Sequence, residues 1–358
     1  MSAHSAHEHP ARDLGVLRAL ASCADDDGFF TVLAVDHPAA FVLGQGGSGA
    51  GGDRETTERA VEAKYLLTRA LAPHASAVLT DPALGLPAAV ATGALPGRTG
   101  LILNIETEAY QLVADPHAVT DLRPGWSPRK IRLAGADGVK LLWRYRAEVP
   151  QAARQRDLVR QLADECAQVS LPLIVEPVWV PLDGEDLTDP RVRARRARGV
   201  IDSAILARQL GADLVKTEFP GWADTDEQRA AAAAACAELD ASLDVPWLLL
   251  SAGVGYETFA VQTEIAARAG SAGFIAGRAV WDAAASPDEA IREQGIDIAL
   301  DRLAALTAIV HAHGRPWRLS RDARAGLTGY PPEWYVDWHP QPHGHPEPHA
   351  HPEEVASR

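Results

Sequence analysis

Cysteine is scarce: Cys23, Cys166 and Cys236 are the only three in 358 residues. The count is odd and no C-x-x-C pair occurs, which argues against a disulfide framework and a cysteine-based zinc site. Cys166 and Cys236 fall in helical-looking runs and read as small buried apolar residues. No apolar run approaches the roughly 18 residues of a membrane-spanning helix. The stretch from Met1 to Leu14 lacks the apolar segment of a signal peptide, so the cytoplasm is the expected location. Positive charge is also short, with 34 Lys and Arg against 48 Asp and Glu, a net charge of −14. Nucleic-acid backbones are held by clustered cations, so nucleic acid is not an expected partner, and neither is a membrane. A small anion needs only a few local cations and is compatible with this balance.

What the chain does have is enough apolar material for a core, 47% of its residues, arranged in a repeating pattern. Eight short apolar runs read as strands: Phe30–Val35, Ser76–Thr80, Gly100–Ile105, Gly138–Trp143, Leu171–Val175, Asp213–Lys216, Pro246–Leu250 and Ser271–Ala276. Nearly continuous apolar runs suit parallel strands covered on both faces. Helix candidates alternate with them: Glu55–Ala72, Ala152–Gln168, Val192–Leu210, Asp226–Leu243, Tyr256–Ala269 and Pro287–His313. Eight strand–helix units predict an α/β fold, a (β/α)8 TIM barrel, with an open doubly wound sheet as the alternative. The connection after the third strand, 106–137, is long and has room for a short helix. The expected organisation is a flexible N-terminus over 1–13, a barrel over 14–320 and a C-terminal extension over 321–358. From about residue 338 the extension is rich in His and Pro, a composition expected to be disordered.

Barrels of this kind carry their chemistry at the C-terminal ends of the strands. The polar residues there are Asp36 and His37, Asp81, Asn104 and Glu106, Lys140, Glu176, Lys216 and Glu218, Ser251, and Gly277 with Arg278. Two lysines inside apolar strands, Lys140 and Lys216, are costly unless paired or used. A salt bridge to a barrel carboxylate is the structural reading. The catalytic reading is that two ammonium groups close together disfavour double protonation, leaving one amine free to attack a carbonyl. Asp36 and Glu176 end apolar runs and supply carboxylates for proton transfer. Ser251-Ala252-Gly253 and Gly277-Arg278 follow the seventh and eighth runs, where small residues and an Arg suit a phosphate. Among the strand ends only His37 is a histidine, so no metal site is expected and no cofactor is implied.

Several collinear segments carry a resemblance. They are Leu33-Ala34-Val35-Asp36, Trp126-Ser127 with Lys130, Gly135-Ala136-Asp137-Gly138-Val139-Lys140-Leu141-Leu142, Val175-Glu176-Pro177, Gly211-Ala212-Asp213-Leu214-Val215-Lys216, Ser251-Ala252-Gly253-Val254 and Gly277-Arg278-Ala279-Val280-Trp281. Over about residues 15–320 the chain resembles the tagatose 1,6-bisphosphate aldolase family, a class I, Schiff-base group that includes sulfofructose-phosphate aldolases. The resemblance implies Lys216 as the Schiff-base lysine, Lys140 as a second site lysine, Glu176 as the proton-handling carboxylate and Asp36 as the first-strand aspartate. It implies Ser251, Gly253, Gly277 and Arg278 as the phosphate clamp. Two departures stand out: His37-Pro38 replaces the family's Gln-Arg, and Trp143-Arg144 replaces Tyr-Tyr. The implied activity is reversible cleavage of a phosphorylated ketose to dihydroxyacetone phosphate and an aldehyde. The alternatives are an aldolase for a sulfonated or inositol-derived sugar phosphate, and a sugar-phosphate-binding regulator without turnover. Association into a homo-oligomer is compatible with such a barrel.

Overall fold

In the computed structural model the apolar runs close on themselves as eight parallel strands in sequence order, with the last pairing back to the first. The residues described are 14–46, 53–107 and 119–317, with 333 and 335–336. The N-terminal stretch 1–13 and the tail from 338 lie outside them. The strands are β1 (Phe30–Ala34), β2 (Ala77–Thr80), β3 (Gly100–Asn104), β4 (Gly138–Arg144), β5 (Leu173–Val178), β6 (Leu214–Thr217), β7 (Trp247–Leu250) and β8 (Gly273–Ala276). An open sheet is thereby ruled out.

Helices between the strands form the outer layer. They include α1 (Leu14–Cys23), α2 (Pro38–Gly44), α3 (Arg54–Leu71), α4 (Gly85–Val90), α5 (Pro128–Leu133), α6 (Ala152–Ala167) and α7 (Pro190–Gln209). The series continues with α8 (Asp226–Ser242), α9 (Tyr256–Ala269), the single turn α10 (Arg278–Trp281) and α11 (Glu289–His313). Starts are set by capping side chains: Asp53, Ser127, Asp189, Thr225 and Asp288 each accept an amide N–H of the first turn. The short helix expected in the long third connection is α5.

The period-2 alternation of a strand decides which residues face the barrel interior. One set of alternate residues, including Val32, Leu79, Ile102, Ile174, Leu214, Leu248 and Ile275, packs into an inner cluster. The other set, including Leu33, Leu103, Leu141, Val175, Val215 and Leu249, packs under the helices. Helix α1 joins the inner cluster through Val16, Leu20 and Cys23. It approaches β3 so closely that a Cβ on Gly100 would lie 2.5 Å from the Ser22 carbonyl oxygen, so only glycine fits there.

Following the inner set two residues further along each strand reaches the polar positions. Asp36 follows Ala34, Lys140 follows Gly138, Glu176 follows Ile174 and Lys216 follows Leu214. Strand register thus sends four ionisable side chains to one end of the barrel interior, where each is buried.

Candidate active site

At that end lies a cavity of about 550 Å³. Its wall includes Asp36 and His37 from the end of β1, Glu176 from β5, Lys216 and Glu218 from β6, the turn Ser251-Ala252-Gly253 after β7, and Gly277-Arg278 after β8. Lys140 is fully buried beneath these groups.

The ionisable groups form one chain of contacts. Glu176 Oε2 lies 2.9 Å from Lys216 Nζ and 2.8 Å from Lys140 Nζ. Lys140 Nζ also lies 2.7 Å from Glu106 Oε1 and 3.1 Å from Asp36 Oδ2. The two lysines therefore meet through a shared carboxylate oxygen. They also differ: among the described residues Lys140 touches three carboxylates, whereas Lys216 touches the one oxygen it shares. Burial works to raise the Glu176 carboxyl, but the charges of Lys140 and Lys216 outweigh it and hold it below its usual range. Burial likewise opposes ionisation of Asp36, yet His37 and Lys140 keep it well below the usual carboxylate range.

The backbone that carries Asp36 is clamped at three successive carbonyls. Trp281 Nε1 donates to the Ala34 oxygen at 2.8 Å, Lys64 Nζ donates to the Val35 oxygen, and Asn104 Nδ2 donates to the Asp36 oxygen at 3.3 Å. Lys64 is itself fully buried, 2.6 Å from Asp81 Oδ2. Asp81 is therefore engaged in a structural pair and, like Asn104, Glu106 and Lys140, does not line the cavity.

Glu218 lines the cavity but both its oxygens are used. Arg196 Nη2 donates to Oε1 and the Trp179 amide N–H donates to Oε2, each at 2.7 Å. Glu106 is likewise tied, accepting the Leu142 amide N–H at 3.1 Å on its second oxygen.

After β7 the backbone turns through two consecutive left-handed residues, Ala252 at φ 47° and Gly253 at φ 80°. Consecutive amides in such a turn can face one anion, and an alanine in this conformation carries backbone strain. The 14-residue helix α9 begins three residues beyond, so its positive end adds to the same field. Arg278 is exposed beside this turn.

The cysteines lie elsewhere and are buried. Burial pushes the Cys236 thiol up to about 12, far from a neutral-pH nucleophile. Among the described residues no group of three or more His, Cys, Asp or Glu is arranged to hold a metal ion. No helix among them is long and apolar enough to cross a membrane.

Two groups escaped the sequence reading. Glu106 ended a strand but was given no role. Lys64 stood in plain view on the apolar stripe Ala60, Lys64, Leu67 and Leu71 of α3, and a lysine on such a stripe was the available signal.

Comparison with known proteins gives the family and the fold. Residues 31–283 match the family described as DeoC/LacD family aldolase. A tagatose 1,6-diphosphate aldolase 2 of Enterococcus faecalis is 30% identical over 76% of this chain and 85% of its own length. One from Streptococcus mutans is 28% identical over 83% and 95%. In fold, the chain is similar to an archaeal fructose-1,6-bisphosphate aldolase solved with its catalytic Lys bound to a carbinolamine intermediate. That likeness has a TM-score of 0.56 and 19% identity over 82% of this chain and 99% of that one. A fructose-bisphosphate aldolase from Plasmodium falciparum gives a TM-score of 0.62 at 15% identity over 84% and 95%.

Proposed function

Since this chain belongs to the DeoC/LacD aldolase family and is a lyase, we propose that it cleaves a phosphorylated ketose to dihydroxyacetone phosphate and an aldehyde through an imine on Lys216. The observation that carries this reading is the sharing of one Glu176 oxygen by two lysines beside the left-handed turn at Ala252 and Gly253.

The asymmetry of the pair supports a division of roles. Lys140, surrounded by Asp36, Glu106 and Glu176, stays an ammonium and fixes those carboxylates. Lys216 passes a proton to Glu176 and attacks the C2 carbonyl as the free amine. Glu176 then returns that proton to the leaving hydroxyl as the carbinolamine loses water. The protonated imine draws electrons from the C3–C4 bond, the C4 hydroxyl gives up its proton to a base of the site, and the aldehyde departs. The enamine is protonated at C3 and hydrolysed. Ser251, the amides of Ala252, Gly253 and Gly277, and Arg278 hold the phosphate next to the keto group. Tagatose and fructose 1,6-bisphosphates are the substrates to test first, in a panel that includes sulfonated analogues.

Treating the protein with sodium borohydride and dihydroxyacetone phosphate should attach a reduced triose phosphate to Lys216, located by peptide mass. Lys216→Met should remove both the adduct and cleavage. An adduct on another residue, or none at all, overturns the proposal.

A further inference from the structure

Cleavage requires a base for the C4 hydroxyl, and the cavity contains few groups free to be one. Among the described residues six ionisable ones line it: Asp36, His37, Glu176, Lys216, Glu218 and Arg278. Lys216 forms the imine and Arg278 has no acceptor. Glu218 is closed by Arg196 and the Trp179 amide. Glu176 has its Oε2 between the two lysines and serves the nitrogen end of the reaction. Asp36 is held ionised by Lys140, which makes it a weak proton acceptor.

His37 is different. Its Nδ1 lies 3.1 Å from Asp36 Oδ1, and its side chain is 36% exposed where Asp36 is 1% exposed. Asp36 Oδ1 is buried and receives no aligned hydrogen bond. It is an acceptor kept ready beside an imidazole. Since Nδ1 is turned to Asp36, Nε2 is the nitrogen left to meet substrate. Imidazole is the side chain whose titration lies nearest neutrality, which suits a base.

We propose that His37, oriented by Asp36, is the catalytic base for the C4 hydroxyl of the substrate. This rests on the imine reading above and deepens it. The lone pair of Nε2 takes the O4 proton, and the O4–H electrons form the C4=O bond. The C3–C4 pair moves to make the C2=C3 bond, and the C2=N pair returns to nitrogen as the enamine. One imine cation disappears and one imidazolium appears, next to the carboxylate of Asp36. The exposed edge of the ring then releases the proton to water. The Trp281, Lys64 and Asn104 clamps on carbonyls 34–36 keep the dyad in place.

The test separates the two halves of the reaction. His37→Ala should still give the borohydride adduct with dihydroxyacetone phosphate and still exchange its C3 hydrogen with solvent, since neither involves C4. Ketose cleavage should fall roughly 10²- to 10⁴-fold, the range for losing a general base. Added imidazole should restore part of it, and the acidic limb of the pH–kcat/KM profile should disappear. The groups sharing the cavity, Asp36, Glu176, Lys216, Glu218 and Arg278, with Lys140 beneath, remain to set the rest of that profile. Cleavage within threefold of wild type, or loss of cleavage and hydrogen exchange together, rejects the assignment to His37. Failure of the wild-type protein to form the adduct rejects the imine reading instead.

Discussion

Replacing Lys64 by Met tests the clamp beneath β1 without touching the cavity. The substitution keeps the apolar stem that packs in α3 and removes an ammonium with no solvent exposure. Asp81 loses its counter-ion but keeps the Ala83 and Leu84 amides, which donate to Oδ1 at 2.9 and 2.7 Å. The Val35 carbonyl loses the Lys64 donor. Breaking a buried ion pair from one side costs about 3–5 kcal/mol, and the two surviving amides place Lys64→Met at the low end, about 3 kcal/mol. Whole domains are stable by about 5–15 kcal/mol, so the loss is a large share. Urea unfolding followed by circular dichroism and tryptophan fluorescence should show the midpoint move down accordingly. Adding Asp81→Asn, which removes the orphaned charge and keeps an acceptor for both amides, should recover more than half of the deficit. A single variant that loses less than about 1 kcal/mol, or a double variant less stable than the single, would refute the argument.

On the proposed phosphate site, Arg278→Ala removes a charged donor, a loss of about 1.5–3 kcal/mol. It should raise KM roughly 10- to 100-fold with kcat little changed, as steady-state kinetics on the bisphosphate panel would show. Hydrogen bonds from Arg146 come first among the causes that lower the Glu185 carboxyl from about 4.5 to about 2. A depressed acid lends stability that is complete above its unfolded value and fades as pH falls toward the folded one. Glu185→Gln should therefore flatten the loss of stability between about pH 4.5 and 2, measured by thermal melts across that range. Prolonged dialysis against EDTA should leave cleavage unchanged, and a rate restored only by added divalent cation would contradict that.

The barrel was legible because its strands are buried on both faces and its helices are bounded by polar caps. Alternation of apolar runs and Ala-rich stretches located every strand to within a few residues. Lys140, Glu176 and Lys216 stood out for a simple reason, since charge inside an apolar strand needs an explanation. Their arrangement was less accessible. The expectation of two lysines side by side gives way to Glu176 between them, because strand register decides which side chains interleave. Asp81 and Lys64 are 17 residues apart on different elements, so their union depends on how α3 packs across β1 and β2. Helix α1 went unnoticed because it follows the strand–helix rhythm of no other segment and closes the far end of the barrel.

Consider finally the row Lys216, Glu176, Lys140, Asp36 as a standing electric field. In the proposed reaction an ammonium and a protonated imine on Lys216 each place a single positive charge on the same nitrogen, so the surrounding dipoles need no rearrangement as one becomes the other. The free amine, the carbinolamine and the enamine are neutral there. On the imine proposal the field leans toward the cationic adduct in both directions of the reaction, drawing the enamine into carbon–carbon bond formation whenever an aldehyde is at hand.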